Sequence, residues 1–215
     1  MKVNADFSQR VLVRFADTDW VASPMPGVDR KMLDRIGAEV ARATSIVRYA
    51  PGSAFSAHTH DGGEEFLVLD GTFVDEHGAF PTGTYVRNPP TTRHTPSAPD
   101  GATILVKLHQ FDPADRKQMR IDTTASDQAR RPLFSDEAED VRIEAWDRNE
   151  TVILDASGGL ELFVLEGDLR EGGDGLARWD WLRLPPGTKA TAQAGAQGAK
   201  VWIKSGHLLE IRPVS

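Results

Sequence analysis

Between residues 43 and 108 the apolar positions fall in short runs rich in Val, Ile, Thr, Phe and Tyr, and Gly, Pro or Asp breaks them about every eight to twelve residues. This rhythm predicts strands joined by tight turns, as in an all-β sandwich or barrel. Phe66-Leu67-Val68-Leu69 is one such run, closed by Asp70-Gly71. Asp75-Glu76-His77-Gly78 predicts a hairpin tip, Pro81-Thr82-Gly83 opens the next strand, and residues 103–108 close the first half. Upstream, residues 42–49 read as a strand entering Pro51-Gly52. A loop at Asp19-Trp20 and a turn at Pro24-Met25-Pro26-Gly27 precede it. Met32, Leu33, Ile36 and Val40 carry some helical spacing, so a helix over residues 31–40 competes with a strand and turn.

Residues 111–139 differ in kind. Asp112-Pro113-Ala114-Asp115-Arg116-Lys117 and Ala125-Ser126-Asp127-Gln128-Ala129-Arg130-Arg131 are polar and at most weakly periodic, which suits a linker with strand pieces. Beyond it the first half recurs. Gly62-Gly63-Glu64-Glu65-Phe66-Leu67-Val68-Leu69-Asp70-Gly71 aligns with Gly158-Gly159-Leu160-Glu161-Leu162-Phe163-Val164-Leu165-Glu166-Gly167 at an offset of 167 − 71 = 96, and the same offset carries Pro89-Pro90 onto Pro185-Pro186. One offset held through two separate motifs predicts tandem modules, with boundaries 1–110, 111–139 for the linker and 140–215.

The chemistry concentrates between Gly52 and His94. On an extended strand His58 and His60 project to one face and offer two imidazole nitrogens to one point. Gly62-Gly63 would let the chain turn and aim the Glu64 carboxylate back at the pair, while His94 would come from a third strand beyond Asn88-Pro89-Pro90. Three imidazoles and a carboxylate form a mixed nitrogen and oxygen donor set for zinc, iron, manganese or nickel. Glu65 alternates with Glu64 and is expected in solvent. His77, His109 and His207 have no partner at ligand spacing and are read as non-ligating. In the repeat, His58, His60, Glu64 and His94 map onto Leu154, Ala156, Leu160 and Ala190, so the second module is expected to bind no metal and the chain one.

The spacing Gly52-x5-His58-x-His60-x3-Glu64-x6-Gly71, followed by Gly83-x5-Pro89-x4-His94, resembles the two motifs of the cupin superfamily. Thr91 stands where that pattern usually has glycine. Together with Asp75-Glu76-His77-Gly78 and Arg87-Asn88-Pro89-Pro90, the run from Gly62 to Leu69 resembles the cupin domain of ChrR-type anti-sigma factors and their stand-alone relatives. The resemblance implies two tandem cupin barrels of the double-stranded β-helix, or jelly-roll, type, and favours strand and turn over helix at residues 31–40. It makes His58, His60, Glu64 and His94 the ligands of one divalent metal. It also implies a sensing role, with a sigma factor as the family's partner. In those anti-sigma factors a separate N-terminal zinc-binding helical domain with histidine and cysteine ligands holds the sigma factor, and this chain resembles the sensing part alone.

Some stand-alone relatives are dioxygenases, so an enzyme acting on a small oxygenated molecule stands beside the sensor, and a metal that only staples the barrel is the third reading. For an enzyme, Tyr85, Arg87 and Asn88 on the strand leading to His94 are candidate substrate contacts. Tyr85 and Arg87 would share one face and Asn88 the other.

Composition narrows this further. The 215 residues include no cysteine, which excludes disulfides, thiolate metal sites and cysteine nucleophiles and suits a reducing cytoplasm. Residues 1–10 hold no apolar core of signal-peptide length, and no stretch approaches the length of a membrane span. A net charge of −7 with scattered Lys and Arg makes nucleic acid an unexpected partner. A small-molecule ligand and a homodimer formed through exposed sheet edges are expected instead. Of the tryptophans, Trp20 is read as a core or dimer contact. Trp146, Trp179, Trp181 and Trp202 all lie in the second half, where Trp179 and Trp181 would share a strand face. They would line an aromatic pocket or, as favoured, fill space or line a contact between modules.

Overall fold

The computed structural model describes residues 1–125 and 128–211. Ser126 and Asp127, within the expected linker, lie outside the described residues. Among the described residues all regular elements are strands, and no helix is long and apolar enough to cross a membrane. The chain divides into two compact units, Met1–Ala5 with Asp19–Ala125, and Asp6–Thr18 with residues 128–211.

In the first unit, an antiparallel sheet runs in the order Lys2–Val3, Val28–Gly37, Ala41–Tyr49, Ala102–Leu108, Glu64–Asp75, Thr84–Asn88 and Met119–Asp122. Val28–Gly37 is thus a strand, paired along its length with Ala41–Tyr49, and the helical spacing within it does not form a helix. Trp20 is half-buried, with the Arg48 guanidinium 4.4 Å and the Lys31 ammonium 5.0 Å from its ring centroid. Period-two alternation sorts the central strand. Phe66 and Val68 enter an apolar cluster with Val86, Ile104 and Val106 from the flanking strands, so Glu64 lies at the core-facing parity. The ladder slips by one residue near Thr103 and Ile104, a bulge that leaves Leu69 unpaired on that side.

The second unit orders Arg130–Ser135, Asp140–Trp146, Thr188–Ser205, Leu160–Glu171, Trp181–Leu184 and Val11–Val13. Residues 6–18, read from sequence as part of the first module, therefore supply an edge strand here, with Leu12 opposite Leu182. The stretch 111–139 contributes Met119–Asp122 to the first sheet and Arg130–Ser135 to the second.

The 96-residue offset reappears as register. Asn88 faces Glu64 and Arg87 faces Glu65; Leu184 faces Leu160 and Arg183 faces Glu161. The bulge recurs too, between Val164 and Glu166. Trp179 corrects an expectation. It lies in a turn at φ 70°, before the strand Trp181–Leu184, and packs edge-on against Phe15 at 5.1 Å, so it shares no strand face with Trp181.

Candidate metal centre

A two-stranded ribbon, His58–Thr59 against Arg93–His94, sets His94 opposite His58. The chain past His58 continues the contact. His60 N–H donates to Thr92 O at 2.9 Å, and Thr91 N–H donates to His60 O at 3.1 Å. The turn that permits this contains Thr91 at φ 79°, a conformation that glycine adopts freely and a β-branched residue does not. The expected turn therefore forms despite the threonine, and Gly187, at φ 81°, makes the corresponding bond to Ala156 O in the second unit. Gly63, at φ 77°, delivers Glu64; a Cβ there would lie 2.4 Å from the Phe111 ring.

These elements bring His58, His60 and His94 together, with one ligand nitrogen from each lying within 4.8 Å of the others. The Glu64 Oε2 atom lies 3.4 Å from His60 Nε2 and 3.8 Å from His94 Nε2. His60, Glu64 and His94 are buried, whereas His58 is exposed.

Hydrogen bonding decides the tautomers. Thr92 Oγ1 donates its proton to Pro89 O at 2.7 Å, so it accepts from His60 Nδ1 at 3.1 Å. Asp75 Oδ2 accepts from His94 Nδ1 at 3.1 Å, and Ser56 O accepts from His58 Nδ1 at 3.2 Å. Each Nδ1 carries the proton, and each Nε2 presents a lone pair. The Nε2 atoms of His60 and His94 are fully buried without a hydrogen-bond partner among the described residues. Burial first, then repulsion from His58, pushes the His60 imidazole down to about 4, and burial also lowers His94. Burial raises Glu64 against the opposing pull of His94, His58 and the Asn88 amide. Two buried, neutral, orphaned nitrogens beside a carboxylate fit a divalent cation.

Four supporting residues were not legible as such in the sequence. Asp75, read as part of a hairpin tip, and Thr92 orient imidazoles from other segments. Asn88 donates to Glu64 Oε2 at 3.4 Å while its own Oδ1 accepts from Gln118 at 3.1 Å, which fixes the amide's direction. Tyr49 is the fourth. It is half-buried, its hydroxyl bonds to no described residue, and burial and then the Glu64 charge hold the phenol protonated. Its ring lies 5.1 Å from Phe73 and 5.4 Å from Phe55, and Phe73 lies 6.0 Å from His94. An aromatic wall thus adjoins the histidines. No local pattern signals these contacts, because each joins strands remote in sequence.

Other expectations need correction. Glu65 is 2% exposed rather than solvated, and accepts from the Tyr85 hydroxyl at 2.7 Å. Tyr85 and Arg87 do share a face, but it is the one opposite Glu64, where Arg87 pairs with Asp115 at 2.6 Å. Among the former candidates only Asn88 reaches the site. His77 sits in an exposed turn, and neither it nor His109 joins the cluster. His207 lies 2.8 Å from Glu161 Oε1, a partner the spacing did not reveal. Leu154, Ala156, Leu160 and Ala190 are buried together in the second unit's apolar core, with Ala190 opposite Leu154 as His94 is opposite His58.

Residues 8–112 match the family described as ChrR Cupin-like domain. Solved structures are similar over nearly the whole chain at low identity. A Nostoc punctiforme protein provisionally described as a dioxygenase is 14% identical, with 97% of this chain and 87% of that one covered and a TM-score of 0.75. A bacterial pirin from Escherichia coli in complex with nickel(II) is 13% identical, with 91% and 98% covered and a TM-score of 0.73. A Bacillus subtilis oxalate decarboxylase variant is 12% identical, with 91% and 76% covered and a TM-score of 0.59. No curated protein matches the chain's sequence.

Proposed function

We propose, for a chain that belongs to the cupin superfamily and carries a ChrR cupin-like domain over residues 8–112, a metal-dependent reaction on a small, carbon-rich molecule bearing an oxygen donor. The first unit would hold one divalent metal through His58, His60, His94 and Glu64. The observation that carries this reading is the set of three imidazoles whose Nδ1 protons are all engaged elsewhere, leaving Nε2 lone pairs beside Glu64.

When bound, a divalent cation supplies Lewis acidity towards an oxygen donor, and iron or manganese adds one-electron chemistry. The chain's residues supply the rest. His58, the exposed member, marks the side from which a substrate enters. Phe55, Phe73 and the Tyr49 ring exclude water from a carbon skeleton, and the free Tyr49 hydroxyl can donate to a substrate oxygen held near Glu64. Asn88 holds the carboxylate in place through the strand that pairs with its own.

The test is oxygen uptake or product formation by iron-loaded protein across ketones, diketones and phenols. Activity should vanish in Glu64→Ala and His58→Ala, and in Tyr49→Phe the KM should rise more than kcat falls. A metal-loaded protein inert towards the whole panel removes the enzyme reading.

The family match favours a second reading, in which the same centre reports a signal as part of an anti-sigma system. Under that reading the purified, metal-loaded chain alters a sigma factor's availability in pull-down, and the Tyr49→Phe variant behaves as the parent does.

A further inference from the structure

The second unit has apolar residues at the positions that correspond to the histidines, and a cleft beside them. Its strands Asp140–Trp146 and Thr151–Ala156 both pair with the long strand Thr188–Ser205, the first along residues 199–205 and the second along 188–193. A cleft of about 530 Å³ lies over this junction, within the range usual for small-molecule sites. Register places it beside the counterpart of the metal centre, of whose four positions Leu154 alone lines it. Trp146 pairs with Ala199 as Tyr49 pairs with Ala102, and Leu154, the counterpart of His58, lines the cleft with Val152.

The wall is charged. Arg142 is 8% exposed and bonded on both sides, Nε to Glu144 at 2.6 Å and Nη1 to Asp140 at 2.6 Å, with a further bond to Ser205 Oγ at 3.2 Å. Glu144 also accepts from the Trp146 indole at 2.8 Å. Burial works against the Glu144 charge, but these bonds outweigh it and keep the carboxylate ionised. Arg142 is therefore consumed by its neighbours. Arg130 is exposed and stands 3.9 Å from both Asp140 and Glu144. Glu150 and Asp155 complete the lining, so two arginines face four carboxylates and the cleft carries 2 − 4 = −2. Beside it Ile153 is 84% exposed, a large apolar side chain with nothing over it among the described residues.

We infer that this cleft binds a small organic cation, an ammonium or guanidinium ion on a short apolar body, with the charge against Glu150 and Asp155, the two carboxylates of the lining that Arg142 does not engage, and the body against Ile153, which shares the strand face of Asp155. An anion is disfavoured because the one deeply placed cation, Arg142, already satisfies two carboxylates. The inference does not depend on the metal centre.

Isothermal titration of the full chain, stripped of metal so that an amine has no metal to ligate, uses phenethylamine hydrochloride and sodium phenylacetate as matched probes. The amine should bind one per chain and at least about tenfold tighter than the carboxylate, the difference that one or two screened charge contacts supply. Asp155→Lys and Glu150→Lys, both at exposed positions, should each weaken the amine by about tenfold while the chain stays folded by circular dichroism, and Ile153→Ser should weaken it through the apolar end. No binding of the amine at 10 mM (about the weakest affinity worth calling a site), equal binding of the two probes, or unchanged affinity in the Asp155→Lys, Glu150→Lys double variant would overturn the inference.

Discussion

Asp75 reaches His94 across 19 residues of chain and decides which nitrogen of that imidazole carries the proton. A carboxylate can only accept here, whereas an amide can turn its NH₂ towards Nδ1 and let the proton settle on Nε2, where it blocks coordination. Asp75→Asn should therefore weaken metal binding by about 10–100-fold, the usual scale for a second-sphere partner of a ligating histidine. Competition against a chelator measures it, and parental affinity would remove Asp75 from the site. The titration of the same imidazoles gives a second expectation, for the metal-free protein. His60 and His94 are depressed in the fold, so below the ordinary histidine value of 6.5 the unfolded chain binds protons that the folded one refuses. Their contribution is complete above 6.5 and is lost as pH falls towards the His60 value of about 4. Glu64, raised in the fold, has the opposite sign and favours the folded state at low pH. With two histidines against one carboxylate, the melting temperature of metal-free protein should fall between pH 6.5 and 4.5 (about the span between the ordinary histidine value and the acid limb). A His60→Gln, His94→Gln variant should show a flatter profile.

At the level of elements, the turn between Asn88 and Arg93 is the place where sequence and backbone disagree. Thr91 occupies the left-handed region at φ 79°, where a β-branched side chain costs on the order of 1–3 kcal/mol. Glycine removes that strain but adds about 0.5–1 kcal/mol of unfolded-state entropy. Thr91→Gly should then stabilise the protein by about 1 kcal/mol, read as a higher urea midpoint at unchanged m-value. A lower midpoint would mean that the threonine side chain contributes contacts that outweigh its backbone cost. The strand Glu64–Asp75 shows the other side of local coding. Its alternation correctly separates Glu64 from Glu65, yet alternation says only that Glu65 faces away from the site. That the far face is also buried, with Tyr85 bonded to Glu65, depends on what packs there.

For the molecule as a whole, the two units share a strand plan but not a donor set. With Leu154, Ala156, Leu160 and Ala190 packed in an apolar core, metal content should saturate at one per chain, and His94→Ala should lower both content and melting temperature while His77→Ala changes neither. Two metals per chain by elemental analysis would contradict the correspondence of the two halves.

What the sequence determined by itself was whatever is written locally or by repetition: the strand rhythm, the turns at Gly and Pro, the period-two facing of His58 with His60 and of Glu64 against Glu65, and the 96-residue offset. Those features follow from backbone sterics and from side chains close in the chain, so they survive without knowledge of the fold. Tertiary structure alone decided the pairings between distant segments. Val11–Val13 joins Trp181–Leu184, Asp75 and Thr92 set the imidazole tautomers, and Tyr49 packs on Phe73, which adjoins His94. Such contacts are selected by collapse of the apolar faces and by the register it imposes, and no spacing along the chain encodes them.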